Sequence, residues 1–329
     1  MVAVLSRAAV TFAVALLACV GAAVPAGAGD VEATPIPAPG RTEVAGAHWG
    51  EFGLAAVSGG FVPGAGTDAT ADLLFFDLAT GEWRAGPALP GPRDHAAMVV
   101  LDDSLYLVGG YTGGLTDPTD GVFRLDAPDG EWQEVGSMST PRGALAATAI
   151  QGRLVALGGV DDTGEVLASV EVYDPDADRW TEAPAMSVPR EHFGAAALDG
   201  RVWAIAGRNP GNLTSVESIR FRRGRPGGSF RDEAPLGFAR GGSGAAAAGR
   251  VVCTAGGEEQ AGTIAPVECL ADGEWRHVAD LDVPRHGLAV VGVGRDLRVI
   301  SGGPEPGLAF GREHEVFDVR ALLRMTDAP

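Results

Sequence analysis

The chain has 329 residues and a formal net charge of −18, from 43 acidic and 25 basic side chains; every basic residue is arginine. So acidic a chain repels phosphate backbones and anionic lipid, which removes nucleic acid and membrane surfaces from the expected partners. Without lysine there is no Schiff-base, pyridoxal-linked or P-loop chemistry, while 46% hydrophobic residues indicate a folded chain.

Residues 1–28 read as a signal peptide. Arg7 supplies the positive start, Ala8 to Val24 is an apolar run, and Ala26-Gly27-Ala28 is a small-x-small cleavage site. The run is short for a bilayer span and no basic stop follows it. A lipoprotein signal is the second reading, because Leu16-Leu17-Ala18-Cys19 resembles a lipobox with Cys19 as the lipidated residue. Leu17 is unusual there, and the residues after Cys19 stay apolar. Secretion or periplasmic export therefore ranks ahead of a lipid anchor at the cell surface. No later stretch is apolar and long enough to span a membrane.

Residues 29–329 read as a single repeat domain. An arginine opens each unit at intervals of roughly 50 residues: Arg41, Arg93, Arg142, Arg190, Arg240 and Arg285. A small-residue doublet follows, Gly109-Gly110, Gly158-Gly159, Ala206-Gly207 and Gly256-Gly257 in the middle units. It falls slightly later at Gly59-Gly60 and Gly302-Gly303 in the outer two. An aromatic comes next: Trp83, Trp132, Trp180, Phe230 and Trp275. Apolar runs such as Leu154 to Leu157 end at the doublets, and turns such as Gln151-Gly152 precede them. Each unit reads as four strands, a to d, and no segment sustains a helical period.

Four strands in a period of that length is the arithmetic of a propeller blade. The double glycine, spaced tryptophan and Pro-Arg resemble the kelch repeat, six times in register over nearly the whole chain after residue 28. The resemblance implies an all-β, six-bladed kelch-type β-propeller. Phe230 for Trp and Ala206 for Gly are the departures. The last unit lacks its Trp segment, whereas Gly29 to Arg41 matches Gly81 to Arg93 without a gap, Val31 taking the place of Trp83. The N-terminal segment is thus expected to supply strand d of blade 6 and close the ring. Cys253 and Cys269 fall on adjacent strands b and c of blade 5, and export favours a disulfide between them over a metal pair or free thiols.

Propellers usually bind through the face carrying the d–a and b–c loops. The two residues after each repeat arginine stand there, which gathers Glu43, Asp94, His95, Glu191, His192 and His286 at the channel mouth. The b–c loops add Asp161, Asp162, Arg208, Asn209, Glu258, Glu259 and Glu305. The plain expectation is that Asp94 and Glu191 pair with neighbouring arginines while the imidazoles cap strand ends. By ligand type His95, His192 and Glu43 suit zinc or copper. They lie on different blades with no short-range ligand spacing, so neither a metal nor any other cofactor is expected. Asp174 to Asp178 lacks the glycine and distal glutamate of a calcium loop. Arg220, Arg222, Arg223 and Arg225 read as a solvated turn on the c–d side.

Two kelch enzymes frame the functional alternatives. Galactose oxidase holds copper with tyrosine and histidine beside a Tyr–Cys crosslink. Here only Tyr106, Tyr111 and Tyr173 occur and none precedes a mouth strand, so that chemistry is not expected. The secreted sialic-acid mutarotases (N-acetylneuraminate epimerases) are six-bladed, and their reaction needs an acid/base and a carboxylate-binding arginine. Glu191, His192 and Arg208 are the candidates for those roles. No nucleophile elbow, zinc motif or phosphate loop is present. The leading expectation is a secreted scaffold that binds a glycan or a protein, with the mutarotase-like enzyme as the alternative.

Overall fold

The computed structural model describes residues 33–64, 66 and 68–326; the signal and lipobox readings at 1–28 and the Val31 position lie outside them. Six antiparallel sheets stand around one axis, spanning residues 45–85, 97–135, 146–183, 194–232, 244–280 and 289–318. The third shows the plan: strand a Ala146–Ile150, b Arg153–Leu157, c Val170–Asp174 and d Arg179–Ala183. Neighbouring a strands contact one another all round the axis, blade 6 against blade 1 included. The convergence leaves no room for side chains at several points. A Cβ on Gly194 would lie 2.5 Å from the Ala245 methyl, and one on Gly292 would lie 1.9 Å from the Ala247 carbonyl oxygen.

Each repeat arginine is buried, and in blades 3 to 6 it ends on a glutamate that opens strand c. Arg142 pairs with Glu171 at 2.9 Å, Arg190 with Glu217 at 2.7 Å, Arg240 with Glu268 at 2.6 Å, and Arg285 with Glu315. The same guanidinium donates to the backbone carbonyl that ends strand b, as Arg190 does to Ala206 at 2.7 Å. The glutamate in turn accepts backbone N–H groups of the incoming linker, Ser187 onto Glu217 at 2.6 Å. One side-chain pair therefore ties linker, strand b and strand c together. Blades 1 and 2 vary the device: Arg41 reaches Asp72 at 3.4 Å, and Arg93 lies over the Phe123 ring, which stands where the other blades carry glutamate.

The blades are joined by a second repeated contact. The last residue of each doublet donates its N–H to the carbonyl of the next blade's arginine: Gly60 to Arg93, Gly110 to Arg142, Gly159 to Arg190, Gly207 to Arg240, Gly257 to Arg285, and Gly302 to Arg41. That last bond corrects the doublet expected at Gly302-Gly303. It is Ser301-Gly302, in step with the other blades, and Arg285 donates to Ser301 O as its counterparts do to their doublets. Glycine is needed at the first position where the arginine carbonyl presses closest. At Gly158 the backbone has φ +56 and a Cβ would sit 2.5 Å from Arg190 O.

The ring closes as the sequence indicates. Ala33 N donates to His314 O at 3.0 Å and Ile36 N to Arg312 O at 2.9 Å, along the free edge of the strand His314–Asp318. Trp83 Nε1 reaches Thr34 O at 2.8 Å, just as Trp180 Nε1 reaches Gly136 O in the preceding blade at 2.7 Å. The first described residues thus occupy the strand-d place of blade 6. Ile36 is buried with Val57, Phe76, Val291 and Ile300 between blades 6 and 1.

Apart from a single 3-10 turn at Gly50–Phe52, one element departs from the expected all-strand reading: helix α1, Val319–Thr326. It follows the final strand directly, is opened by Asp318 Oδ1 accepting from Ala321 N, and buries Val319 and Leu322 beside Val278 and Leu281 of blade 5. Two buried residues in eight are too short a signal for a periodicity reading. Cys253 and Cys269 are paired residues of adjacent strands in blade 5 and form a disulfide, both fully buried.

Three outcomes follow from this architecture. Glu217→Ala strands the buried Arg190 charge and should cost roughly 3–5 kcal/mol in urea denaturation. Replacing both Cys253 and Cys269 with alanine should cost about 3 kcal/mol by the loop-entropy account, read by the same denaturation. His314 supplies a pH dependence. It is 1% exposed, with Nε2 facing Arg298 Nη1 at 3.2 Å and Nδ1 facing Thr34 O at 3.3 Å. Burial, then the Arg298 charge, push its pKa down to about 4. The unfolded chain takes up this proton below about pH 6.5 and the folded chain does not. The contribution is therefore complete above that pH and is lost as pH falls toward 4, on the order of 3 kcal/mol in all. In His314→Asn this acid-side slope should flatten; an unchanged slope would assign the acid sensitivity elsewhere.

Candidate functional site at the channel mouth

The residue two past each repeat arginine stands two before strand a, and all six adopt left-handed backbone: Glu43, His95, Ala144, His192, Gly242 and Gly287, with φ between 50 and 69. They form a closed circle of backbone hydrogen bonds. His95 N donates to Glu43 O, Ala144 N to His95 O, His192 N to Ala144 O, Gly242 N to His192 O and Gly287 N to Gly242 O; Val44 N completes it on Gly287 O. The circle sets the six Cα atoms around the axis. Where the residue is not glycine, left-handed backbone is strained, and here the interblade bonds hold it.

Only three of these residues carry a long side chain, and the three meet. His95 Nε2 lies 3.1 Å from Glu43 Oε2, and the His95 and His192 rings are 4.7 Å apart, edge to face. Ala144 stands between the two histidines in the circle and is small enough to let them touch. His286 approaches from blade 6, its Nδ1 3.0 Å from Glu43 Oε1 but out of line for a hydrogen bond. Its Nε2 donates to Glu305 O at 3.0 Å.

Asp94 and Glu191 do not pair with arginines as expected; each bonds the histidine that follows it. Asp94 Oδ1 is 2.6 Å from His95 Nδ1, and Glu191 Oε2 bonds His192 Nδ1. The correction has a geometric cause. The repeat arginine points into its own blade toward strand c, while the left-handed turn two residues later folds the imidazole back onto the intervening acid. Tyr111 and Phe61 wall His95 on two sides, with ring centroids at 5.7 and 6.0 Å. Neither aromatic is visible as a site residue in the sequence, because each follows a doublet like any other b–c loop residue.

The electrostatics follow from this packing. Burial would lower His95, but Glu43 and then Asp94 outweigh it and raise its pKa to about 9. Burial would raise Glu43, yet the imidazoles of His95 and His286 hold it well below the ordinary carboxylate range. His192 is pushed down to about 3, first by burial and then by the His95 charge. The mouth therefore favours the charged form of His95, between Glu43 and Asp94, and the neutral form of His192.

Some of the expected residues line two separate spaces. Glu43, His95 and His192 line a central cavity of ≈ 130 Å³ whose walls are the small residues of the a strands. Arg208 does not reach it. Its guanidinium bonds Glu258 Oε1 at 2.5 Å and Asn212 Oδ1 at 3.3 Å, and it lines a separate cleft with Glu258, Pro306 and Gly307. The two spaces are joined through Glu258, its Oε2 3.6 Å from His286 Nε2, and through Glu191, which bonds His192 and pairs backbone to backbone with Arg208. The arginine-rich turn is a hairpin of blade 4, Val216–Arg222 against Arg225–Pro226, on the opposite face.

Six four-stranded units, arginine–doublet staples and N-terminal closure define a kelch-type propeller. The chain belongs to the kelch-repeat family: the KLHDC2/KLHL20/DRC7 Kelch-repeats domain matches residues 47–218. Among solved structures, one titled "Structure of YjhT" is similar, with a TM-score of 0.72 over 86% of this chain and 95% of that one. At 16% identity that likeness concerns the fold alone. No curated protein matches the chain. No helix among the described residues is long and apolar enough to cross a membrane.

Proposed function

We propose that this chain is an exported kelch scaffold that binds a partner protein through the d–a/b–c loop face. The observation that carries this reading is the pair of apolar loop tips on that face. Leu115 in the b–c loop of blade 2 is 48% exposed, at φ 77, and Leu308 in the b–c loop of blade 6 is 45% exposed. These loops stand on the blades either side of blade 1. Large apolar side chains held out to solvent on loops are surface that a partner can cover, and a bulky residue in left-handed backbone is an outlier that functional loops tolerate. Export is supported by the disulfide, which fits an oxidising compartment, together with the leader read at 1–28.

The mutarotase-like alternative has less support. A sugar acid needs its carboxylate-binding arginine beside the acid/base pair. Arg208 is already closed by Glu258 and faces a different cleft from His192. The central cavity, at ≈ 130 Å³, is also below the roughly 300 Å³ at which small-molecule pockets begin. A glycan partner would instead have to lie on the outer loops.

Immobilised protein should enrich a specific partner from the extracellular fraction of the source cells. Leu115→Asp with Leu308→Asp should abolish the capture while leaving the melting temperature unchanged. A glycan array and an NMR assay of sialic-acid anomer exchange complete the comparison. Exchange accelerated by the wild type and lost in Glu191→Gln would replace the scaffold with the enzyme.

A further inference from the structure

His95 and His192 repeat one arrangement on two blades. Each stands two residues past its arginine, follows an acid, and has Nδ1 bonded to that acid's carboxylate. With Nδ1 engaged, the Nε2 lone pair is the one left to neutral His192, and at His95 an ion gains the Nε2 lone pair by displacing its proton to solvent. His192 Nε2 has no hydrogen-bond partner among the described residues, and His95 Nε2 faces the Glu43 carboxylate. One ligand atom from each of Glu43, His95 and His192 lies within 4.8 Å of the other two. We propose that these three side chains bind a single divalent ion of the zinc–copper class at the mouth of the channel.

The chemistry of the donors selects the ion. Two imidazole nitrogens and one carboxylate oxygen suit zinc or copper, whereas calcium and magnesium take oxygen ligands almost throughout. Metal bonds of about 2.0–2.2 Å to nitrogen and oxygen hold such donors closer together than 4.8 Å, so side-chain movement on the order of an ångström closes the set. The acids behind the ligands are the usual outer-shell device: a histidine ligand commonly gives its second ring nitrogen to a carboxylate, which fixes its orientation. Asp94 and Glu191 stand in that place. His286 stands against the other oxygen of Glu43, held by the Glu305 carbonyl. The three remaining positions of the circle, Ala144, Gly242 and Gly287, offer nothing beyond a methyl group, which leaves coordination positions open for solvent or a ligand at the mouth. The ≈ 130 Å³ cavity has the scale of an ion with its waters rather than of an organic substrate. The signal escapes a motif search because its ligands come from three blades, some 50 residues apart or more in sequence.

The test uses the full chain, stripped with a chelator and titrated separately with zinc and copper salts by calorimetry. Metal retained after gel filtration is counted by elemental mass spectrometry. One ion per chain and a raised melting temperature are expected. His95→Ala and His192→Ala should each lose the bound ion yet remain folded, since blade 3 carries alanine at the same left-handed position, Ala144 at φ 51. Glu191→Gln keeps all three ligands and should weaken binding by about 10–100-fold, an effect that loss of fold cannot imitate if the metal-free melting temperature is unchanged. A wild-type chain that retains neither ion, or a double His95→Ala, His192→Ala variant that retains as much as the wild type, overturns the proposal.

Discussion

Each blade is entered through a buried arginine, and much of the rest of the molecule is arranged around that side chain. In four blades its guanidinium satisfies both the carbonyl that ends strand b and a glutamate that opens strand c, and in all six its own backbone carbonyl receives the N–H of the previous blade's doublet. Burying a cation is costly unless it is paired and hydrogen-bonded. Here the pairing is made to groups that belong to different strands, so the charge is satisfied only when the blade is assembled. The arginine thereby links correct strand placement to the removal of an unpaired charge. Blade 2 shows that the carboxylate can be replaced, with Phe123 offering a ring face to Arg93.

The same arrangement creates the mouth. Because the arginine turns outward into its blade, the chain must reverse within two residues to begin strand a, and it does so through left-handed backbone at all six positions. Those six residues then bond to one another in a circle of small radius, where six large side chains could not be accommodated. The chain places two glycines and an alanine on half of the positions and three functional side chains on the other half. Crowding is thus the reason that Glu43, His95 and His192 touch, although each belongs to a separate blade. Ala144 matters as much as the two histidines it separates, since a larger residue there would hold their rings apart.

Family membership and fold say little about the partner, because propellers with the same blade plan host unrelated functions. What distinguishes this chain is the separation of its charges. The imidazole–carboxylate cluster sits at the axis, the Arg208–Glu258 pair in the adjoining cleft, and the exposed apolar tips on the b–c loops. The acid/base groups at the axis and the arginine of the cleft therefore line separate spaces.

The repeat count, the blade boundaries and the ring closure were legible in the sequence because they rest on local rules repeated along the chain. These are an arginine entry and a doublet close to a carbonyl in all six units, a proline before the arginine in four, and an aromatic in five. The cysteine pair was legible for the same reason, since adjacent strands of one blade are adjacent in the chain. Where a repeat position was filled by an untypical residue the reading slipped by one, as at Ser301, whose backbone does what glycine does elsewhere. The short C-terminal helix left too little periodic signal to be read. The sequence also brought Glu43, His95 and His192 to the mouth by counting from the arginines. It could not say which way those side chains turn, that Asp94 and Glu191 bond the following imidazoles, or that Arg208 is closed off by Glu258. Those outcomes depend on contacts between blades roughly 50 residues apart, where a few degrees of strand twist and the size of one intervening residue decide who meets whom; only the closed ring settles that geometry.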